Sequence, residues 1–200
     1  MKSLPSALLV VPLLAALGSC SITPPERPLP ATFAFPIRVR VRAHNPSIPP
    51  LVLFPVRAPS WLATRLLYVR RAGGLRIAPH RRAVWIAPLP GLFDEALRAT
   101  LIPHERAGAA RMALHVRLFD LEETVSAKTA RVALVARTRL ASLRRGVPSR
   151  VHLWRLAVKT RPGARDEARA ILLLDRRFNT AVLRWLVRRA EPRRATPSPR

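Results

Sequence analysis

Arg111-Met112-Ala113-Leu114-His115-Val116-Arg117-Leu118 places Met112, Leu114, Val116 and Leu118 on one side of the chain and Arg111, Ala113, His115 and Arg117 on the other. A repeat of two with one apolar side marks a strand that buries one face and wets the other. The pattern returns at Val132, Leu134 and Ala136, set between Arg131, Ala133, Arg137 and Arg139. Arg144-Arg145-Gly146 reads as a turn, after which Val151 to Val158 carries Trp154, Leu156 and Val158 on one face. Asp120, Glu122 and Glu123 follow the first of these strands and are expected in a solvated loop. An apolar sheet face needs a cover, and the C-terminal region supplies one. Ile171, Leu174, Phe178, Val182 and Trp185 recur at helical spacing, with Arg169, Arg176, Thr180 and Arg184 opposite. The helix is expected to start after Gly163 and to end near Arg189.

Upstream, Ile37, Val39 and Val41 alternate with Arg38, Arg40 and Arg42, which predicts another half-buried strand. Leu51 to Val56 reads as a short apolar strand and Arg65 to Arg70 as a further one. Gly73-Gly74 is a hairpin turn with Leu75 to Ala78 as its return. Beyond Trp85, Pro88 and Pro90, the residues Leu92, Phe93, Ala96, Leu97 and Leu101 predict a helix that Pro103 stops. Asp94 and Glu95 are expected near its positive end. The order is a strand-rich unit, a helix, a second strand-rich unit and a C-terminal helix. It implies an α+β fold: a single domain of mainly antiparallel strands with two helices on one face. Similarity between the two units is too weak to claim a duplication.

The N-terminus is of another kind. Lys2 precedes an apolar run from Leu4 to Leu17 that only Ser6 interrupts. It falls short of the about 20 residues a membrane-spanning helix needs, and it has the size of a secretory leader. Leu17-Gly18-Ser19-Cys20 resembles the bacterial lipobox, which implies acylation of Cys20, the chain's only cysteine. Membrane lipid is then expected as a partner through Cys20, and Ser21 in place of an acidic residue implies, by resemblance to enterobacterial lipoproteins, the outer membrane. The expected organisation is a lipoprotein signal peptide over 1–19, a lipid-anchored Pro-rich linker over 20–32, a folded domain over 33–190 and a disordered basic tail over 191–200. Pro24, Pro25, Pro28 and Pro30 make the linker a semi-rigid spacer.

The formal charge of +25 points first to nucleic acid, but the leader directs the chain to a compartment where nucleic acid is scarce. Two accounts of the charge remain: arginine spread over every exposed face by genomic composition, or attraction to an anionic surface. On the second account Arg38, Arg117 and Arg137, on strand faces, are the candidate contacts with a partner or anionic surface. Nothing in the sequence suggests a cofactor. It has no Gly-rich phosphate loop and no Gly-x-Ser-x-Gly nucleophile motif. The five histidines, His44, His80, His104, His115 and His152, lack short metal-ligand spacing; His115 and His152 are expected on paired strands and read as surface or hairpin-pair residues, with a metal site between them as the alternative. Trp61, Trp85, Trp154 and Trp185 read as core, with a lipid groove as the alternative.

Ala58-Pro59, Leu62, Thr64-Arg65, Leu67-Tyr68 and Arg70, followed by Trp85, Pro88-Leu89 and Leu97, resemble the ABC-type transport auxiliary lipoproteins. Val116-Arg117-Leu118-Phe119-Asp120 is similar to that family's strand ending in Phe-Asp, and Phe178-Asn179 to a pair in its last helix. The similarity runs from Cys20 to about Ala190, carried by the order of the motifs. Two departures stand out: Ile86-Ala87 where the family has an acidic residue, and a longer segment from Phe33 to Pro50. The resemblance implies a non-enzymatic, lipid-anchored periplasmic accessory subunit. Its partners would be a mammalian-cell-entry (MCE) domain protein and the associated ABC permease and ATPase, which move lipids or other hydrophobic molecules across the envelope. A homo-oligomer is compatible with that role. The alternatives are a structural envelope lipoprotein that binds anionic glycolipid or cell-wall polymer, and a degenerate enzyme of lipid or wall metabolism.

Overall fold

The computed structural model describes residues 29–35, 48–74, 76–105, 110–144 and 146–190. The leader with Cys20, the strand expected at Ile37 to Val41 with Arg38, and the basic tail lie outside the described residues. In chain order the strands are β1 (Ala31–Phe33), β2 (Leu51–Leu53), β3 (Leu66–Arg71) and β4 (Ile77–Trp85). Helix α1 (Leu89–Leu101) comes next, then β5 (Met112–Val125), β6 (Ala130–Ser142), β7 (Arg150–Thr160) and helix α2 (Ala164–Ala190). One open sheet runs β1-β4-β3-β5-β6-β7, with β2 beside the start of β5. The long pairings β3–β4, β5–β6 and β6–β7 are antiparallel. Three short parallel pairings join β1 to β4 and both β2 and β3 to β5. The fold is the expected α+β arrangement, with a mostly antiparallel sheet.

The three alternating segments became its longest strands because each presents an apolar row to one side. Leu114, Val116, Leu118, Val132, Leu134 and Ala136 are all buried. The stripe of α2 covers this row, with Ile171, Leu174, Phe178, Val182 and Trp185 buried. Aromatic rings link the layers across the inner face. Phe35 lies 5.3 Å from Trp85 and 5.5 Å from Phe93, while Phe178 lies 6.4 Å from Phe93 and 6.1 Å from Trp154. These are favourable edge-on spacings, and they make Trp85, Trp154 and Trp185 core residues rather than a groove lining.

Four local readings need correction. The acids Asp120, Glu122 and Glu123 are not in a loop but inside β5. Leu118 opposes Ala136 and Asp120 opposes Val135, so Phe119 is an unpaired extra residue. Such a bulge turns the strand's phase by one. Leu121 and Glu123 now face the helices, while Asp120 and Glu122 face away. The return strand expected at Leu75 to Ala78 is the longer β4, which reaches Trp85. β2 is shorter than Leu51 to Val56, although the Phe54 and Arg57 N–H groups still donate to the Leu114 and Val116 carbonyls. Asp94 does not sit in the first turn of α1, which starts at Leu89 with Pro90 in its opening turn. Instead Asp94 accepts from the Val56 N–H and from Arg98, whose guanidinium also donates to Glu105 and to the Leu53 carbonyl. That hub fastens α1 to β2.

Candidate functional site

His80, Glu123 and Glu167 meet on the inner side of the sheet, although they are far apart in sequence. Each is aimed there by a local irregularity or a chain end. Leu66 opposes Val84 and Tyr68 opposes Pro79, so β4 spends four residues where β3 spends one. His80 lies in that widened stretch. Glu123 is turned inward by the bulge at Phe119. Glu167 is in the first turn of α2, where its N–H donates to the Gly163 carbonyl. Gly163 has a φ of +136°, a conformation that a side chain would strain, and this lets the chain turn from β7 into the helix.

Glu123 and Glu167 are 0% and 1% exposed, and the His80 side chain is 20% exposed. His80 Nε2 lies 2.7 Å from Glu167 Oε2 and 3.5 Å from Glu123 Oε2. Both Glu123 oxygens are buried without an aligned hydrogen bond, while the Glu167 carboxylate also has the Tyr68 backbone N–H beside it. Contact with the carboxylates of Glu123 and Glu167 raises the His80 imidazole from 6.5 to about 9. Burial raises Glu167 from 4.5 to about 7, against the opposing pull of His80. One ligating atom from each residue lies within 4.8 Å of the other two, so the three together could hold a metal ion. Sequence reasoning missed this group. Its one available signal was Glu167, which continues the apolar stripe of α2 four residues before Ile171.

His115 and His152 do not meet. They lie on β5 and β7, which flank β6 rather than pair. His115 opposes Arg139 and His152 opposes Thr138, neighbours that point to opposite faces. His115 stacks on Phe54 at 4.4 Å, and His152 lies against Trp154 at 4.2 Å. Burial, with the charges of Arg139 and Arg57, lowers the His115 imidazole.

The outer face brings two of the three sequence-chosen arginines together. Arg117 directly opposes Arg137, and their guanidinium carbons lie 5.3 and 5.4 Å from the Phe119 ring centre. Arg57, which sequence reasoning did not single out, bridges to Arg117 from the other side. Adjacent strands are about 4.8 Å apart, so three like charges cross the sheet in one row. None of the three forms an ion pair among the described residues. Val151 and Leu153 extend the face and are 55% and 47% exposed. Farther along the same face Arg70 pairs with Glu122 at 3.0 Å. Burial there raises Asp120 and, with help from Asp120, Glu122, while Arg70 opposes both shifts. Among the described residues no helix is long and apolar enough to cross a membrane.

No family model matches the chain, and no curated protein matches it. Solved structures do share the fold. A protein of the DUF330 family from Xanthomonas campestris aligns with a TM-score of 0.64 at 15% identity, over 78% of this chain and 95% of its own. A second structure, of an uncharacterized protein, aligns with a TM-score of 0.64 at 13% identity, over 79% of this chain and 99% of its own. At these identities the likeness is one of fold.

Proposed function

We propose that this chain is a lipid-anchored accessory subunit of an MCE-type ABC transport system, acting by binding rather than by catalysis at the periplasmic face of the outer membrane. The observation that carries the binding role is the row Arg57, Arg117 and Arg137 beside Phe119, three exposed cations on one sheet face that form no ion pair among the described residues. Like charges on directly opposed positions repel, and an acidic partner surface would relieve that repulsion. The lipobox-like Leu17-Gly18-Ser19-Cys20 supports the anchor, and the family resemblance supports the partner. The shared fold of the DUF330 protein is compatible with both.

The test is binding of the domain from Ser21 onward to the cognate MCE-domain protein, at low and high salt. Rim charges act mainly on association rate and salt dependence, and screening shortens to about 3 Å at 1 M salt. Arg117→Glu and Arg137→Glu should therefore slow association at low salt and differ little from wild type at 1 M. No complex at micromolar concentration would remove the adaptor reading. A complex indifferent to salt and to both reversals would keep the adaptor and return the arginines to genomic composition. The exposed Val151 and Leu153 beside the arginines favour one second reading, an amphipathic face for anionic glycolipid. Binding to glycolipid vesicles but not to the MCE protein would select it.

A further inference from the structure

We propose that His80, Glu123 and Glu167 form a binding site for one divalent cation of the zinc class, held between β4, β5 and the first turn of α2. The donor set is an imidazole nitrogen and two carboxylates, which suits zinc and its first-row neighbours. Three protein ligands leave a fourth position of a tetrahedron for water or another small donor. With metal–ligand lengths of about 2.0–2.2 Å, tetrahedral ligands sit roughly 3.4 Å apart. The pair His80 Nε2 and Glu123 Oε2, at 3.5 Å, already has that spacing. The 2.7 Å pair with Glu167 opens to it by a small turn of one carboxylate.

The independent observation is the state of the carboxylate oxygens. Glu123 is fully buried, yet neither of its oxygens has an aligned hydrogen bond, and Glu167, nearly as buried, has only His80 and the Tyr68 backbone N–H beside its carboxylate. Native interiors rarely leave such groups unsatisfied, and an unbalanced buried charge is costly. With both carboxylates ionised and the imidazole neutral, the cluster carries two negative charges, which one divalent ion cancels. Two protons cancel them as well, one on His80 and one on a carboxylate. That protonated state still leaves Glu123 with a single off-axis contact at 3.5 Å. The partly exposed His80 side chain gives an ion a way in from solvent. Bulges are frequent beside functional sites because they re-aim side chains. Here a register irregularity in each of β4 and β5 turns a polar group into an otherwise apolar layer.

The test uses the full chain, stripped with chelator and titrated with cobalt(II) and then with zinc(II). The expected result is one ion per chain, strong visible d–d bands of four-coordinate cobalt, bleaching of those bands by zinc, and a raised melting temperature. His80→Gln and Glu123→Gln should weaken the ion by at least about tenfold, since even outer-shell changes cost 10–100-fold. Asp175→Asn, a buried carboxyl elsewhere on α2, should bind as wild type. Paramagnetic cobalt in the wild-type chain should broaden the amide signals around residues 80, 123 and 167, which locates the ion even if a cluster variant fails to fold. Absence of a stoichiometric ion in wild type would overturn the proposal. So would undiminished binding in the folded cluster variants, or broadening centred on other residues.

Discussion

Beneath α2, the inner face of β5, β6 and β7 places Leu114, Val116, Ala136 and Trp154 in the core, and its one buried hydroxyl, Thr138, accepts a hydrogen bond from Trp154 Nε1 at 3.0 Å. One residue along each strand, the outer face presents Arg117, Arg137 and Leu153 to solvent. The same period of two built both faces, but they solve different problems. Polar groups on the inner side are few beside its apolar rows, and Thr138 and Trp154 satisfy each other. Cations on the outer side are many, and the row at Arg57, Arg117 and Arg137 forms no ion pair among the described residues. Stability should therefore reside on the first face and recognition on the second.

The sharpest way to break that division is Phe178→Ala, which removes the ring between Phe93 and Trp154. A loss of about 3–5 kcal/mol is expected in urea unfolding. Arg184→Ala, on the exposed side of the same helix, should stay within about 0.5 kcal/mol. Equal losses would mean that the two faces do not differ as described.

Next in size is Asp175, buried on α2 with Asn179 donating to its carboxylate at 3.1 Å. Burial raises its carboxyl from 3.8 to about 7, against the pull of Asn179 and Arg176. The folded chain thus holds this proton more tightly than the unfolded chain. Its contribution is fully present below pH 3.8 and is lost as pH rises through about 7. Asp175→Asn should then gain on wild type between pH 4 and pH 8 by an amount on the order of 3–4 kcal/mol. Chemical denaturation at both pH values measures it, and a pH-independent difference would show that the carboxyl titrates normally. Glu167 has the same sign, so wild type itself should weaken over this range.

A smaller effect is expected of Thr138→Val, which fills the same space but leaves the Trp154 N–H buried without an acceptor. The loss should be about 1–3 kcal/mol, with altered tryptophan fluorescence as a second readout. Smallest is Arg117→Ala on the outer face. Its exposed contact with Phe119 is worth about 0.5–1 kcal/mol at most, and relief of repulsion from Arg57 and Arg137 offsets part of it. The melting temperature should barely move while partner binding falls.

The sequence carried the inner face well wherever apolar periodicity ran unbroken, as in Met112 to Leu118 and in the stripe of α2. It failed at Phe119, because a bulge leaves no trace in composition. Without it, alternation sends Glu123 outward, and three acids in four residues look like a loop. β4 was hidden for a related reason: Pro79 and His80-Arg81-Arg82 break the alternation within the widened stretch. The cluster of His80, Glu123 and Glu167 follows from both irregularities, so it was legible only through Glu167 at a stripe position. The pairing of Arg117 with Arg137 was within reach, since both were placed on exposed faces of neighbouring strands. Their convergence on Phe119 depends on the bulge and was not.

Among the described residues β7 is the last strand of the sheet, so one row of its backbone groups has no strand partner there. An open row of this kind is a template on which a second chain can add a strand. β7 runs from Arg150 to Thr160, and Arg155 is its midpoint. Two copies joined symmetrically along this row would set Arg155 against Arg155, with Lys159 opposite Val151 and Arg150 opposite Thr160 at the ends. Like charges directly opposed are unfavourable, so the strand carries its own deterrent to edge-to-edge pairing of two copies at the centre of the contact.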